Sequence, residues 1–347
     1  MTSIRGRLNR YLWSCLAGFL LSTGVSLAGA DADSALLTER PDPPGTPTKV
    51  DVLIYLFDVY SIDDVEQQFN VDLFLKAEWQ DRRLALPEAQ RQGKIRQFSL
   101  DEIWLPRTLM LNDRNLEARL PLVAQVDDEG RVSLGQRLFG TASADLQFRD
   151  FPMETQYLPL DLISYGYKPE ELDLGAKAVL LGDAESFSAD GWNLSLLEPE
   201  HGVYSIPELG TERPRLTFRI EATRDSSYYL STMFLPMSLI VFMAWTVFWL
   251  QPDLVPPRIS IATGAIFSLI AFGFSIRLSL PKIPYMTRAD MFVLGSTLLV
   301  FIALAVAVAG SRLAVSGRME QALKVNAVAR LVYAALFVAL LLAAWRL

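Results

Sequence analysis

The sequence is poorest in the residues that carry most protein chemistry. One cysteine, Cys15, and one histidine, His201, stand among 347 residues. A single thiol excludes a disulfide-stapled domain and leaves no CxxC pair for zinc or for thiol exchange. A lone histidine gives a Ser/His/Asp hydrolase one candidate base, and an exposed loop histidine is the simpler reading of His201. No Gly-rich phosphate loop is present either. The chain is therefore not read as an enzyme, no cofactor or metal is expected, and nucleic acid is not among the expected partners. Acids are scarce at both ends. Residues 1–30 hold three arginines and no acid, residues 31–227 hold 36 acids against 20 bases, and residues 228–347 hold three against nine. The whole-chain charge of −7 thus averages three physically different segments.

Apolar residues make up 51% of the chain and aromatics 11%, which excludes a disordered protein. Arg5, Arg7 and Arg10, the apolar run Tyr11 to Leu27 and the small-x-small triplet Ala28-Gly29-Ala30 read as a signal peptide over 1–30. The competing reading, a membrane span, is weakened by Ser14, Ser22, Thr23 and Gly24. Four uncharged stretches follow near the C-terminus: Ser226 to Pro252, Ile259 to Ile276, Met291 to Ser311 and Leu331 to Trp345. They predict transmembrane helices at about 228–250, 257–280, 289–311 and 326–346. Arg312, Arg318, Lys324 and Arg330 cluster between the last two, so the positive-inside rule puts that linker in the cytoplasm and residues 31–227 outside. Between signal and spans, Val50 to Tyr60, Phe69 to Trp79, Arg131 to Phe139 and Arg215 to Ala222 alternate as half-buried strands do. With turn signals between them, they predict an all-β, immunoglobulin-like sandwich over residues 31–227 and a four-helix transmembrane bundle over 228–347.

Phe151-Pro152-Met153-Glu154-Thr155-Gln156 resembles the F-P-[FM]-D-x-Q loop of the Cys-loop receptors, the pentameric ligand-gated ion channels. Trp79-Gln80-Asp81-Arg82-Arg83-Leu84 is similar to that family's W-x-D-x-R-L, and Trp104-Leu105-Pro106 with Asn112 to its W-x-P segment. Pro236 in the first span and Leu280-Pro281-Lys282 after the second fall in register. The cysteines that bracket the loop in animal members are replaced by Ala144 and Leu158, as in bacterial relatives, and Glu154 stands where Asp is usual. The resemblance implies a homopentamer around a central pore, in a bacterial inner membrane with its sandwich in the periplasm. Its partners are then four further copies of itself, membrane lipid, permeant ions, and a small-molecule agonist or protons.

The second span carries a stripe at helical spacing: Ser260, Gly264, Phe267, Ala271, Phe274 and Leu278. An ordinary packing stripe fits this spacing too; the resemblance places these side chains around the pore, with Phe267 as the main apolar gate. Arg258 and Arg277 flank the span as pore-end charges, and Val255-Pro256-Pro257-Arg258 resembles the corresponding segment of glycine- and GABA-type anion channels. Anion selectivity is the expectation; the sequence leaves open a cation-selective or proton-gated member and a non-conducting ligand sensor. The resemblance also implies an inter-subunit agonist cage of Tyr165 and Tyr204 on one face and Phe74 and Lys76 on the other. Ile163 replaces the acid that some amine-binding members carry two residues before the aromatic. Asp64, Glu154 and Arg224 resemble the family's acid–Arg–acid coupling junction, above Pro281 and Lys282.

Overall fold

Strand alternation in the sequence becomes two facing sheets. A computed structural model describes residues 37–180, 187–277 and 284–346, apart from a few side chains at segment ends. The expected signal peptide, Leu278, Pro281, Lys282 and the Arg277 side chain lie outside the described residues. One sheet runs β3 (Arg96–Ser99), β6 (Val123–Val126), β7 (Arg131–Ser143), β2 (Gln68–Gln80), β1 (Thr48–Asp63) and β9 (Leu172–Leu180), with β5 (Asp113–Ala118) also on β7. The other runs β10 (Trp192–Leu196), β12 (Thr211–Arg224), β8 (Thr155–Ser164) and β4 (Thr108–Met110), with β11 (Glu200–Ile206) also on β12. Only the β1–β9 pair is parallel among the described strands.

Val50, Val52, Ile54 and Leu56 on β1 and Leu216, Phe218, Ile220 and Ala222 on β12 are fully buried, because period-two alternation sends each set to one face. All four expected strands fall inside observed ones. His201 is exposed as expected, but it sits on β11 rather than in a loop. Two of the motif segments of the sandwich, around Trp104 and Asn112, make internal contacts. Trp104 meets Trp79 edge-on at 5.8 Å and donates its indole N–H to the Tyr167 hydroxyl at 2.6 Å. Asn112 donates to the carbonyls of Ser143 and Pro159 and accepts from the Asp161 N–H, tying β7 to β8.

Four helices follow: α1 (Ser227–Trp249), α2 (Val255–Arg277), α3 (Arg288–Val315) and α4 (Met319–Arg346). All four are long and apolar enough to cross a membrane. In α1 a π turn over Leu230–Phe234 precedes Pro236, whose missing N–H cannot join the regular ladder. Thr287 and Asp290 close a reciprocal capping box that starts α3. The α3–α4 linker is much shorter than the charge cluster suggested. Gly317 takes a left-handed φ of 78° just past α3, and α4 begins at Met319 rather than near 326. Glu320 and Lys324, read as linker, instead form an i,i+4 ion pair at 2.9 Å on the first exposed turns of α4.

Candidate functional sites: pore helix, ligand face and coupling junction

Helix α2 has two unlike faces. Arg258, Ala262, Ala265 and Leu269, at i, i+4, i+7 and i+11, are buried against the other helices. Small residues there allow close approach, and a Cβ added at Gly273 would sit 3.5 Å from Val293. On the opposite side, Ser260, Gly264, Phe267, Ala271 and Phe274 are all exposed, with Phe267 71% and Phe274 68% accessible. Two large aromatics left this open on a helix inside a bundle mark a face that this chain alone does not cover.

Arg258 corrects the expectation of a charge standing at the pore end. It is fully buried, about 200° of helical rotation away from Ser260, on the packing face. Its Nη2 donates to Asn326 Oδ1 at 2.8 Å and its Nη1 to Ser311 Oγ at 3.4 Å. Asn326 in turn donates to the Leu250 carbonyl at 3.3 Å, so one polar cluster ties together the end of the four-helix bundle far from the sandwich. No carboxylate pairs with Arg258 among the described residues. The shared spacing with Ala262, Ala265 and Leu269 was the available signal, and proximity to the helix start masked it.

The four expected ligand residues fall on two sheets. Phe74 and Lys76 share one face of β2; Phe74 lies 6.1 Å from Tyr55 with the rings tilted at 44°, and Lys76 is held by Glu78 at 2.7 Å. Tyr165 follows β8 and is half exposed, whereas Tyr204 lies on β11 directly across from Arg213 of β12. Among the described residues, no hydrogen bond or ring contact joins the two pairs within one chain. Arg213 and Glu78 are the residues near these positions that sequence reading missed.

At the base of the sandwich, Arg224 lies between two acids. Its Nε donates to Glu154 Oε1 at 2.6 Å and its Nη2 to Asp64 Oδ2 at 2.7 Å. The guanidinium also rests 4.1 Å from the ring centre of Trp192 and 5.3 Å from that of Phe151, in an aromatic box that sequence reading missed. Asp64 belongs to the turn after β1, and Asp63 fixes that turn by accepting the N–H groups of Val65 and Glu66. Burial pushes the Glu154 and Asp64 carboxyls above the usual carboxylate range, against the pull of Arg224. Burial also works against the Arg224 cation, but its two carboxylates outweigh this and raise it. Glu154 Oε2 and Asp64 Oδ1 are buried with no partner among the described residues. A carboxyl raised in the folded state contributes stability below its unfolded value, and loses it as pH rises through the folded value.

The loop 144–158 is closed without a disulfide. Gln156 accepts from the Gln147 N–H and donates to the Gln147 carbonyl, both at 2.8 Å, while Phe148 and Phe151 are buried beneath. The Phe151–Pro152 peptide is cis. The loop then grips the start of α3: the Arg149 and Phe151 carbonyls accept the N–H groups of Arg288 and Ala289. Arg288 pairs with Asp150 at 2.8 Å, and the Tyr285 hydroxyl accepts the Phe148 N–H at 3.1 Å. Arg224 Nη1 donates to the Tyr229 hydroxyl of α1 at 3.4 Å, so sandwich and bundle are joined through Arg224 at α1 and through this loop at α3.

Comparison with known proteins agrees with this arrangement. Residues 37–204 match the neurotransmitter-gated ion-channel ligand binding domain, and residues 233–336 match the neurotransmitter-gated ion-channel transmembrane region. The proton-gated ion channel of Gloeobacter violaceus is 25% identical over 302 residues, covering 86% of this chain and 83% of the relative. The gamma-aminobutyric acid receptor subunits gamma-3 of Mus musculus and Homo sapiens are each 26% identical over 273 residues, 76% of this chain. The chain matches 58% of the length of those gamma-3 subunits. Two domain matches in the order of sandwich and spans, over a fold of the same plan, make this chain a multi-pass membrane protein of the neurotransmitter-gated, pentameric ligand-gated ion-channel family.

Proposed function

We propose that the chain assembles as a homopentamer and conducts ions passively through a pore lined by α2, in a bacterial inner membrane with the sandwich in the periplasm. The exposed stripe from Ser260 to Phe274 carries this reading: five-fold assembly turns an uncovered apolar face into a pore wall. The same symmetry brings Tyr165 and Tyr204 of one copy toward Phe74 and Lys76 of the next, forming a cage for a small ligand with a carboxylate. The acidic outer segment and basic inner linker support the orientation.

Selectivity is assigned to anions, on altered grounds. Arg258 acts as a buried, uncompensated cation behind the inner pore mouth, reinforced by the positive N-terminal end of α2. Its low-dielectric surroundings screen it less than an exposed charge. Similarity to the gamma-3 subunits supports this reading. The test is recording from purified protein in planar bilayers under asymmetric NaCl. Discrete steps reversing toward the chloride equilibrium potential are expected, and reversal toward that of sodium defeats the anion assignment.

A second reading makes the proton the agonist, favoured by the two buried, raised carboxyls on Arg224 and by similarity to a proton-gated channel. Their proton uptake as pH falls releases the guanidinium from its partners. Acidification in amino-acid-free buffer then opens the channel, and Glu154→Gln, which mimics the neutral acid, flattens the response. An acid response identical in Glu154→Gln sinks this reading.

A further inference from the structure

A fully buried guanidinium in an apolar bundle is normally matched by a carboxylate, because an unpaired buried charge is costly. At Arg258 every partner is neutral. Nη2 donates to Asn326 Oδ1 at 2.8 Å and Nη1 to Ser311 Oγ at 3.4 Å. Nε is buried with no partner among the described residues. Asn326 and Ser311 are buried too. A Cβ placed at Gly310 of α3 would lie 3.5 Å from both Arg258 Nη1 and Asn326 Oδ1, so α3 packs directly on the pair. The acids nearest in sequence do not supply the missing charge. Asp253 is exposed and in no ion pair among the described residues, and Glu320 is taken up by Lys324.

Asn326 is the decisive residue of this cluster. Asp has the same size and shape, and it would give Nη2 a charge-assisted bond that an amide cannot. The amide keeps the guanidinium hydrogen-bonded and leaves its full positive charge in place. Its Nδ2 donates to the Leu250 carbonyl, which fixes Oδ1 toward Arg258. We propose that Asn326 determines ion selectivity from a helix that contributes nothing to the exposed stripe of α2. It is a positioning residue: it holds the Arg258 cation behind the pore wall and leaves it uncompensated. This rests on the reading of Arg258 as the charge behind the inner pore mouth. A pentamer then sets five such charges around one axis. Arg312, Arg318 and Lys324 are exposed, so salt screens them, whereas the buried charge acts through a low-dielectric wall.

Reversal potentials of the full-length protein in planar bilayers under asymmetric NaCl give the chloride-to-sodium permeability ratio. Asn326→Asp should lower that ratio at least about threefold, because five buried charges are cancelled at once. The change has this direction whichever ion wild type prefers. Ser311→Asp, which brings a carboxylate to Nη1, should lower the ratio as well, and it provides a second route to the same cancellation. Asn326→Ala loses the same hydrogen bonds but keeps the charge, so its cost shows in surface level and not in the ratio. Arg258→Gln separates this inference from the reading beneath it. A ratio unmoved in Arg258→Gln removes the buried cation as a selectivity charge, and the role of Asn326 with it. A ratio lowered in Arg258→Gln but unmoved in the assembled Asp variants, or lowered equally by Asn326→Ala, overturns the role of Asn326 alone.

Discussion

Phe267→Ala should raise the resting conductance of voltage-clamped cells at least about tenfold, without any agonist. The ring is 71% exposed on the open face of α2, and the proposed pentamer would direct five such rings toward one axis. A constriction of that kind blocks ions because water cannot bridge it and hydrated ions cannot shed their shells. Fully burying a Phe side chain is worth about 1.5–3 kcal/mol, and each 1.4 kcal/mol is a factor of ten. Removing five rings therefore shifts the closed–open balance by several kcal/mol, even if each contributes a fraction of its full value. Phe274 offers a second collar two helical turns further along, so the double variant should leak more than either single one. A resting conductance and agonist sensitivity equal to wild type would remove Phe267 as the gate.

Arg224→Gln should reach the membrane as an assembled protein yet open poorly. Two carboxylates, one 2% and one 20% exposed by side chain, would then face one another with no cation between them. Breaking a buried pair by removing one member costs about 3–5 kcal/mol. Part of that cost is relieved because the freed acids take up protons, so a loss of about 2–3 kcal/mol at the junction is the working figure. If half is felt in gating, agonist-evoked currents fall about five- to twelvefold at unchanged surface level. Arg224→Lys should rescue only in part. A single ammonium cannot supply Nε to Glu154 and Nη2 to Asp64 together, nor lie flat on Trp192. Normal evoked currents in Arg224→Gln would reduce the triad to an ordinary ion pair.

Much of this was legible in one sequence, for identifiable reasons. Hydropathy and period-two alternation are local, so the spans and the strands of the sandwich could be read directly. The Asp64–Glu154–Arg224 set was reachable through motif register, and its members are hydrogen-bonded as that register implied. The Trp192 and Phe151 walls were not, because no spacing announces that three distant segments converge on one guanidinium. Arg258 misled because a charge at the edge of an apolar run looks interfacial. Its burial depends on Ser311 and Asn326, which come from two other helices.

The central claim is that the exposed face of α2 is the wall of a conducting pore, and cysteine accessibility tests it most directly. With Cys15 replaced by serine the chain holds no thiol, so single cysteines can be introduced without background. The Phe267→Ala variant serves as host, since it is expected to conduct without agonist. Cysteines at Ser260, Gly264 and Ala271 should let a charged, water-soluble thiol reagent block the current, while those at the buried Ala262 and Ala265 should not react. Block at Ala262 and Ala265 with none along the stripe would contradict the account.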